Sequence, residues 1–287
     1  MHVLKNNRLK IEVAAPGEVY NGSRFDWTGF ITQITLDDAV TFCVPERLEK
    51  GAGTGGMGLS NEFGIDQPLG YEVADLGQQF PKIGVGLLTK PDEKDYDFFY
   101  HYDVTPAEFQ VSQTSSSLTM DAEAHSDNGY GFHLTKAISL SEDQVIIHYT
   151  LKNTGDVAFK TNEYVHNFIG LNHETVNENY QLTIPKMNQL NVAVGTMKQT
   201  NKEVAWPVVP DGDFYAQIDM NEENTSYNWE LYHKQLKAGV RDLTCFTPEK
   251  MALWGRDHVV SPEVFIAIAL SPGETKTWER RYQFYRN

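Results

Sequence analysis

Few segments of any length in this chain keep the 3.6-residue spacing of an amphipathic helix, whereas strand-length runs recur with turn residues between them about every 8–12 positions. Arg8 to Val13 alternates as a strand and Pro16-Gly17 turns it; Phe30 to Leu36 and Val40 to Val44 flank the turn Asp37-Asp38. A charged turn at Pro91 to Asp95 precedes an aromatic run, Tyr96 to Val104, that reads as a strand. Glu108 to Gln113 and Leu118 to His125 are split by Ser115-Ser116-Ser117, and Phe132 to Leu140 with Gln144 to Lys152 form a hairpin through Ser141-Glu142-Asp143. Short strands then continue at Tyr180 to Ile184, Gln189 to Val194, Phe214 to Met220, Ser226 to Tyr232 and Gly239 to Phe246. The last runs are Ser261 to Leu270 and, after Ser271-Pro272-Gly273-Glu274, the alternating Lys276 to Tyr285. So many strands can be buried most simply as an all-β, large antiparallel sandwich. No linker divides residues 1–287, so a single β-sandwich domain is expected, and no 40-residue repeat suggests a propeller.

Composition removes several classes of function. The chain is 40% hydrophobic and 12% aromatic, enough for a sizeable core. A net charge of -15 argues against a nucleic-acid partner, which wants a basic patch. Cys43 and Cys245, far apart and flanked by apolar or aromatic residues, read as reduced, buried thiols. Residues 1–7 lack an apolar signal core and no run reaches membrane-spanning length, so the expectation is a cytoplasmic protein without a membrane partner.

Two motifs are set aside. The run Gly51 to Gly58 follows a charged segment and lacks the Lys-Ser/Thr of a phosphate loop, which leaves a flexible crossing or rim loop. His173-Glu174 lacks the second histidine of a zinc site, so no metal is expected. The histidine that matters stands in an extended run after the polar turn Asn153 to Asp156. Period-2 geometry puts Tyr164, His166 and Phe168 on one face and Val165, Asn167 and Ile169 on the other. An imidazole between two aromatics is either a hydrogen-bonded core group or part of a ligand-receiving surface.

From Ser126-Asp127-Asn128-Gly129-Tyr130-Gly131 through the hairpin to His166-Asn167-Phe168, the chain resembles the aldose 1-epimerase (galactose mutarotase-like) family, as a divergent member. Its C-terminal order is similar too: Glu263 in a strand, the Pro272-Gly273-Glu274 turn, then the aromatic strand Trp278 to Phe284. The resemblance covers roughly the last two-thirds of the chain. It implies a β-supersandwich with a concave sugar-binding face, His166 as general acid, Glu263 as general base, and neither metal nor organic cofactor. Mutarotation asks for just such a pair, because a base must take the anomeric hydroxyl proton while an acid protonates the ring oxygen. Glu263 as carboxylate and His166 as imidazolium, on opposite sides of a pyranose, would meet that need near neutral pH.

Around them a sugar wants a stacking aromatic and charged or amide hydrogen-bonders, and Arg24, Lys82, His101, Asn167, Trp254 and Glu62 are the candidates. Some have a plainer reading, Trp254 as a core or edge aromatic and Arg24 as a strand-end ion pair, and so has Glu263 of the catalytic pair, as a solvated turn residue. The early His-Gly-Gly motif of the galactose enzymes is absent; the nearest text is Pro81-Lys82-Ile83-Gly84-Val85-Gly86, where Lys82 takes that place or the position is lost. Two functions therefore stand: interconversion of the anomers of a small sugar other than galactose, or non-catalytic carbohydrate binding on the same fold. A lyase or hydrolase is a weaker third, since no segment remains for a separate catalytic domain.

Overall fold

The computed structural model describes residues 1–222 and 225–287. The first half carries β1 (His2–Lys5), β2 (Leu9–Ala14), β3 (Phe30–Leu36), β4 (Val40–Thr41), β5 (Leu59–Phe63), β6 (Gln79–Lys82), β7 (Gly86–Thr89), β8 (Val104–Pro106), β9 (Glu108–Gln113), β10 (Ser117–His125), β11 (Gly131–Ser141) and β12 (Gln144–Asn153). The second half carries β13 (Phe159–Asn167), β14 (Tyr180–Thr183), β15 (Met187–Val194), β16 (Lys198–Thr200), β17 (Glu203–Ala205), β18 (Phe214–Met220), β19 (Trp229–His233), β20 (Ala238–Asp242), β21 (Met251–Arg256), β22 (Val259–Val264), β23 (Ile266–Leu270) and β24 (Thr275–Arg286). Among the described residues the only helix is one 3-10 turn at Leu171–His173, and no helix is long and apolar enough to cross a membrane.

Four antiparallel sheets result. One runs β1-β2-β3-β5-β13-β23 with β4 on β3; the largest runs β16-β17-β14-β19-β20-β24-β12-β11-β10-β9. The others are β15-β18-β21-β22 and β6-β7-β8. The alternation that defines the large sheet is visible strand by strand: β12 along its length, and β24 from Trp278 to Tyr285, switch between buried and more exposed residues at every step. Their inward side chains meet the seven-stranded sheet, with Phe63 edge-on to Trp278 at 6.2 Å and Phe42 on Phe284 at 4.8 Å. One apolar cluster of these inward residues extends from Leu4 to Phe284. At about 25 cal/mol per Å² of apolar surface, burial on this scale is the main term holding the layers together.

Three local expectations change. The expected strand Tyr96 to Val104 is absent up to Asp103, and Val104 instead opens β8: Tyr71, Phe80, Tyr96 and Tyr102 pack ring against ring, and the aromatic content that mimics a β pattern serves a folded loop. Ser261 to Leu270 is two strands broken at Phe265, which lets β22 belong to one sheet and β23 to another. Cys43 is buried, but Cys245 is exposed because it follows the end of β20 in a loop.

Candidate functional site

Beside β13 in the seven-stranded sheet lies β5, Leu-Ser-Asn-Glu-Phe, every residue of which is buried. The pair Tyr164 and Glu62 stand opposite each other, as do His166 and Ser60. On its other flank β13 pairs with β23, and two residues past its end Ile169 bridges antiparallel to Val260 of β22. Three residues further along that register, His166 comes opposite Glu263. The Asn167 amide closes the junction by donating to the carbonyl of Pro262 at 2.6 Å.

His166 and Glu263 do share a cavity wall, but not across the width of a sugar ring. Nε2 of His166 is 3.3 Å from Oε1 of Glu263. Their strands run side by side, so the pair is a cross-strand contact rather than a clamp. Ser261 lies two residues before Glu263 on the same face of β22, and its Oγ is 2.8 Å from Nδ1 of His166 and 3.2 Å from Oε1 of Glu263. The imidazole stacks on Phe168 at 4.0 Å and meets Trp254 edge-on at 5.0 Å.

Burial governs the charge states of the pair. It pushes Glu263 up to about 8, against the pull of Arg24 and the Ser261 hydroxyl. It also drives His166 well below its ordinary value, and the positive charge of Arg24 adds to the effect. Burial thus works against the expected states, carboxylate and imidazolium, and favours the neutral form of each group. A dry wall of aromatics penalises either charge, and only the neutral pairing avoids the penalty.

The remaining candidates separate. Arg24, Trp254, His166 and Glu263 line a cavity of about 490 Å³ together with Tyr164, Phe98 and Phe99. Arg24 lies between the rings of Phe25 and Phe98, at 4.6 and 4.5 Å. Its Nε donates to Oε2 of Glu62 at 2.9 Å, and the Tyr164 hydroxyl donates to the same oxygen at 2.6 Å. Glu62 and Lys82 are not cavity residues. They form a buried tier behind it, with Lys82 Nζ 3.4 Å from Glu62 and 3.1 Å from the Tyr96 hydroxyl. Asn167 faces away from the cavity, as alternation along β13 requires, and its amide is spent on two carbonyls. His101 is exposed and borders a different hollow beside the 45–57 segment.

The glycine-rich run rims that hollow, as a crossing loop would. Glu46 ties it down by accepting from the Thr54 backbone at 2.6 Å and hydroxyl at 2.8 Å. Gly56 allows the close approach: a Cβ there would stand 2.4 Å from the Phe168 ring. Through Thr54, which accepts from Arg24 Nη1 at 3.2 Å, the loop reaches the site.

Sequence reasoning passed over Tyr164 and Ser261, although each stands two residues from a singled-out partner and so shares its face of a strand. Phe98 and Phe99 gave no such signal, because only loop folding brings them to Arg24. Nor did the pairing of Arg47 with Asp213, at 2.8 and 2.9 Å, across 166 positions of sequence. Among the described residues no group of three or more His, Cys, Asp or Glu is arranged to hold a metal ion.

No protein-family model matches the sequence, and a search of curated proteins finds no relative. Solved structures do match along its whole length. A galactose mutarotase related enzyme from Lactobacillus acidophilus superposes with a TM-score of 0.61 at 13% identity, covering 99% of this chain and 97% of that one. A galactose mutarotase-like protein from Lactobacillus casei gives 0.60 at 12% identity over 99% and 100% of the two chains. An aldose epimerase homologue from C. elegans gives 0.58 at 10% identity over 99% and 98%. Backbone superposition, rather than shared residues, carries the similarity: this chain has the galactose mutarotase-like fold, an all-β antiparallel supersandwich in divergent sequence.

Proposed function

We propose that the protein interconverts the anomers of a reducing sugar by acid–base catalysis, with His166 and Glu263 as the proton-transfer pair. The observation that carries this reading is their 3.3 Å juxtaposition on a cavity wall with opposed pKa shifts. The two oxygens that exchange protons in mutarotation, O1 and O5, are bonded to the same carbon. An acid and a base standing side by side match that geometry better than a pair set across the ring.

Ring opening then runs as follows. The Ser261 hydroxyl donates to Glu263, so Nδ1 of His166 carries its proton toward Ser261 and Nε2, beside Glu263, is the unprotonated nitrogen. Nε2 takes the proton of the O1 hydroxyl while protonated Glu263 delivers its own to O5. The C1–O5 bond breaks and a C1 carbonyl forms. Rotation about C1–C2 and the reverse transfers close the ring from the other face, leaving the pair as it began. Roles therefore alternate, and the acid of the opening step is Glu263. Trp254 and Tyr164 supply the aromatic surface and Arg24 the donor that hold the sugar.

Exchange spectroscopy by NMR over neutral and phosphorylated aldoses tests the reading. Acceleration over buffer that falls at least a hundredfold in His166→Ala and Glu263→Gln is expected; no acceleration with any aldose sinks it. A carbohydrate-binding protein without turnover is the second reading, favoured by one observation: both ring nitrogens of His166 already have protein partners. Calorimetric sugar binding with no anomer exchange would select it.

A further inference from the structure

The cavity does not end where one sugar ring would. Across the four-stranded sheet, register sets Glu263 beside Ala252, Ala252 beside Gln217, and Gln217 beside Asn191. All four belong to the face on which Glu263 meets the cavity, by alternation along each strand. Strands lie about 4.8 Å apart, so Gln217 is about 10 Å from the proton-transfer pair and Asn191 about 14 Å. That exceeds the reach of a single pyranose whose anomeric carbon is at Glu263. Ala252, the intervening residue, is small and leaves the path open between them.

This outer floor is built of amides and one carboxylate. Tyr215, Gln217 and Asp219 alternate on the cavity side of β18, and Gln217 and Asp219 are exposed. Asn191 and Gln189 continue the rows on β15, opposite Gln217 and Asp219, and are exposed as well. Among the described residues none of these four amide and carboxylate side chains has a hydrogen-bond or ion-pair partner. The rest of β18 shows what the sheet does where burial is wanted: Phe214, Ala216 and Ile218 are buried. Unspent amides in a row suit the hydroxyls of a neutral sugar. The unneutralised Asp219 in this row disfavours a phosphate or uronate there: Lys250 is paired with Asp66, and the guanidiniums of Arg47 and Arg256 converge on Asp213, before the start of β18.

We propose that β18 and β15 form a second sugar subsite, so that the substrate is a neutral reducing disaccharide or longer glycan whose reducing unit sits at His166 and Glu263. The subsite rests on the reading of that pair as the place where the anomeric carbon is bound. Its test compares maltose, cellobiose and lactose with glucose and galactose, by NMR anomer exchange and by calorimetry, for the wild type and for the double variant Gln217→Ala/Asp219→Ala. At least one disaccharide is expected to exceed its reducing-end monosaccharide about tenfold in kcat/KM, and the double variant to erase that ratio. A ratio near one for every disaccharide, or a ratio the substitutions leave intact, overturns the subsite while anomer exchange itself stands. Should no sugar be exchanged, tight calorimetric binding of a disaccharide that the double variant abolishes upholds the subsite and sinks the catalysis. Absence of both exchange and binding overturns the subsite too.

Discussion

The two faces of the β5–β13 pair bury charge in opposite ways. On the face between the sheets, Glu163 is held by Arg280 at 2.7 Å and by the Asn61 amide, while Lys136 donates to Asp26 at 3.0 Å and to the Asn61 carbonyl oxygen at 2.7 Å. Two cations meet two carboxylates, the Tyr149 hydroxyl adds a donor to Asn61, and none of their polar atoms is left without a partner. On the cavity face, Arg24 and Lys82 share the single carboxylate of Glu62. The next titratable groups there, His166 and Glu263, are kept neutral by burial. A balanced network serves rigidity; an unbalanced one beside a cavity leaves groups ready to give and take protons.

Breaking the balanced face should cost the most. Glu163→Gln leaves Arg280 without its counter-charge, and a loss of about 3–5 kcal/mol follows. For a chain of this size that lowers Tm by about 10 °C in a thermal melt. Glu263→Gln, on the other face, is expected to leave Tm within about 3 °C at pH 5, where the wild-type carboxyl is still protonated, while removing activity. Equal destabilisation by the two substitutions would erase the distinction.

The second test uses pH. Glu263 keeps its proton in the fold up to about pH 8 but releases it near 4.5 when unfolded. Its contribution to stability is thus fully present below 4.5 and is lost as pH rises through 8. The Tm of Glu263→Gln relative to the wild type should rise steadily between pH 5 and 8. His166 works the other way, because its folded value is depressed below 6.5: its contribution is present above 6.5 and lost as pH falls. Anomer exchange should fail as pH climbs through about 8, where the Glu263 proton departs. Parallel melting curves across that window would remove the shifted carboxyl from the argument.

A smaller effect is expected from Ser261→Ala, which takes away the hydroxyl between the two groups. A tenfold fall in kcat with KM unchanged should accompany a change in the ring-nitrogen ¹⁵N shifts of His166, reporting loss of the Nδ1–H form. Unchanged shifts would mean that the serine merely fills space. The smallest effect belongs to His101→Ala: that side chain borders the other hollow, and neither kcat nor KM should change measurably.

The cavity face also shows where sequence reading stopped. β5 was passed over because Ser60-Asn61-Glu62 reads as a polar loop, yet it is a central strand whose side chains divide between the two charge networks. Tyr96 to Val104 failed in the opposite sense, an apolar pattern without a strand beneath it. Lys82 and Glu62 were legible as partners of the site but not as its hidden tier, since depth is a property of what packs over a residue. Asn167, by contrast, could have been set aside from alternation alone, as the odd neighbour of His166.

Local pattern determined the all-strand architecture, because alternation and turn residues act over a few positions and need no knowledge of partners. The same period put Tyr164, His166 and Phe168 on one face, and their order relative to Glu263 was sufficient for the family resemblance. Tertiary structure decided everything that depends on distance and dielectric. The register of β13 against β22 brought imidazole and carboxyl to 3.3 Å, far-separated aromatics closed around Arg24, and exclusion of water shifted both groups toward their neutral forms. Charge states follow from surroundings, and surroundings exist only once the chain has folded.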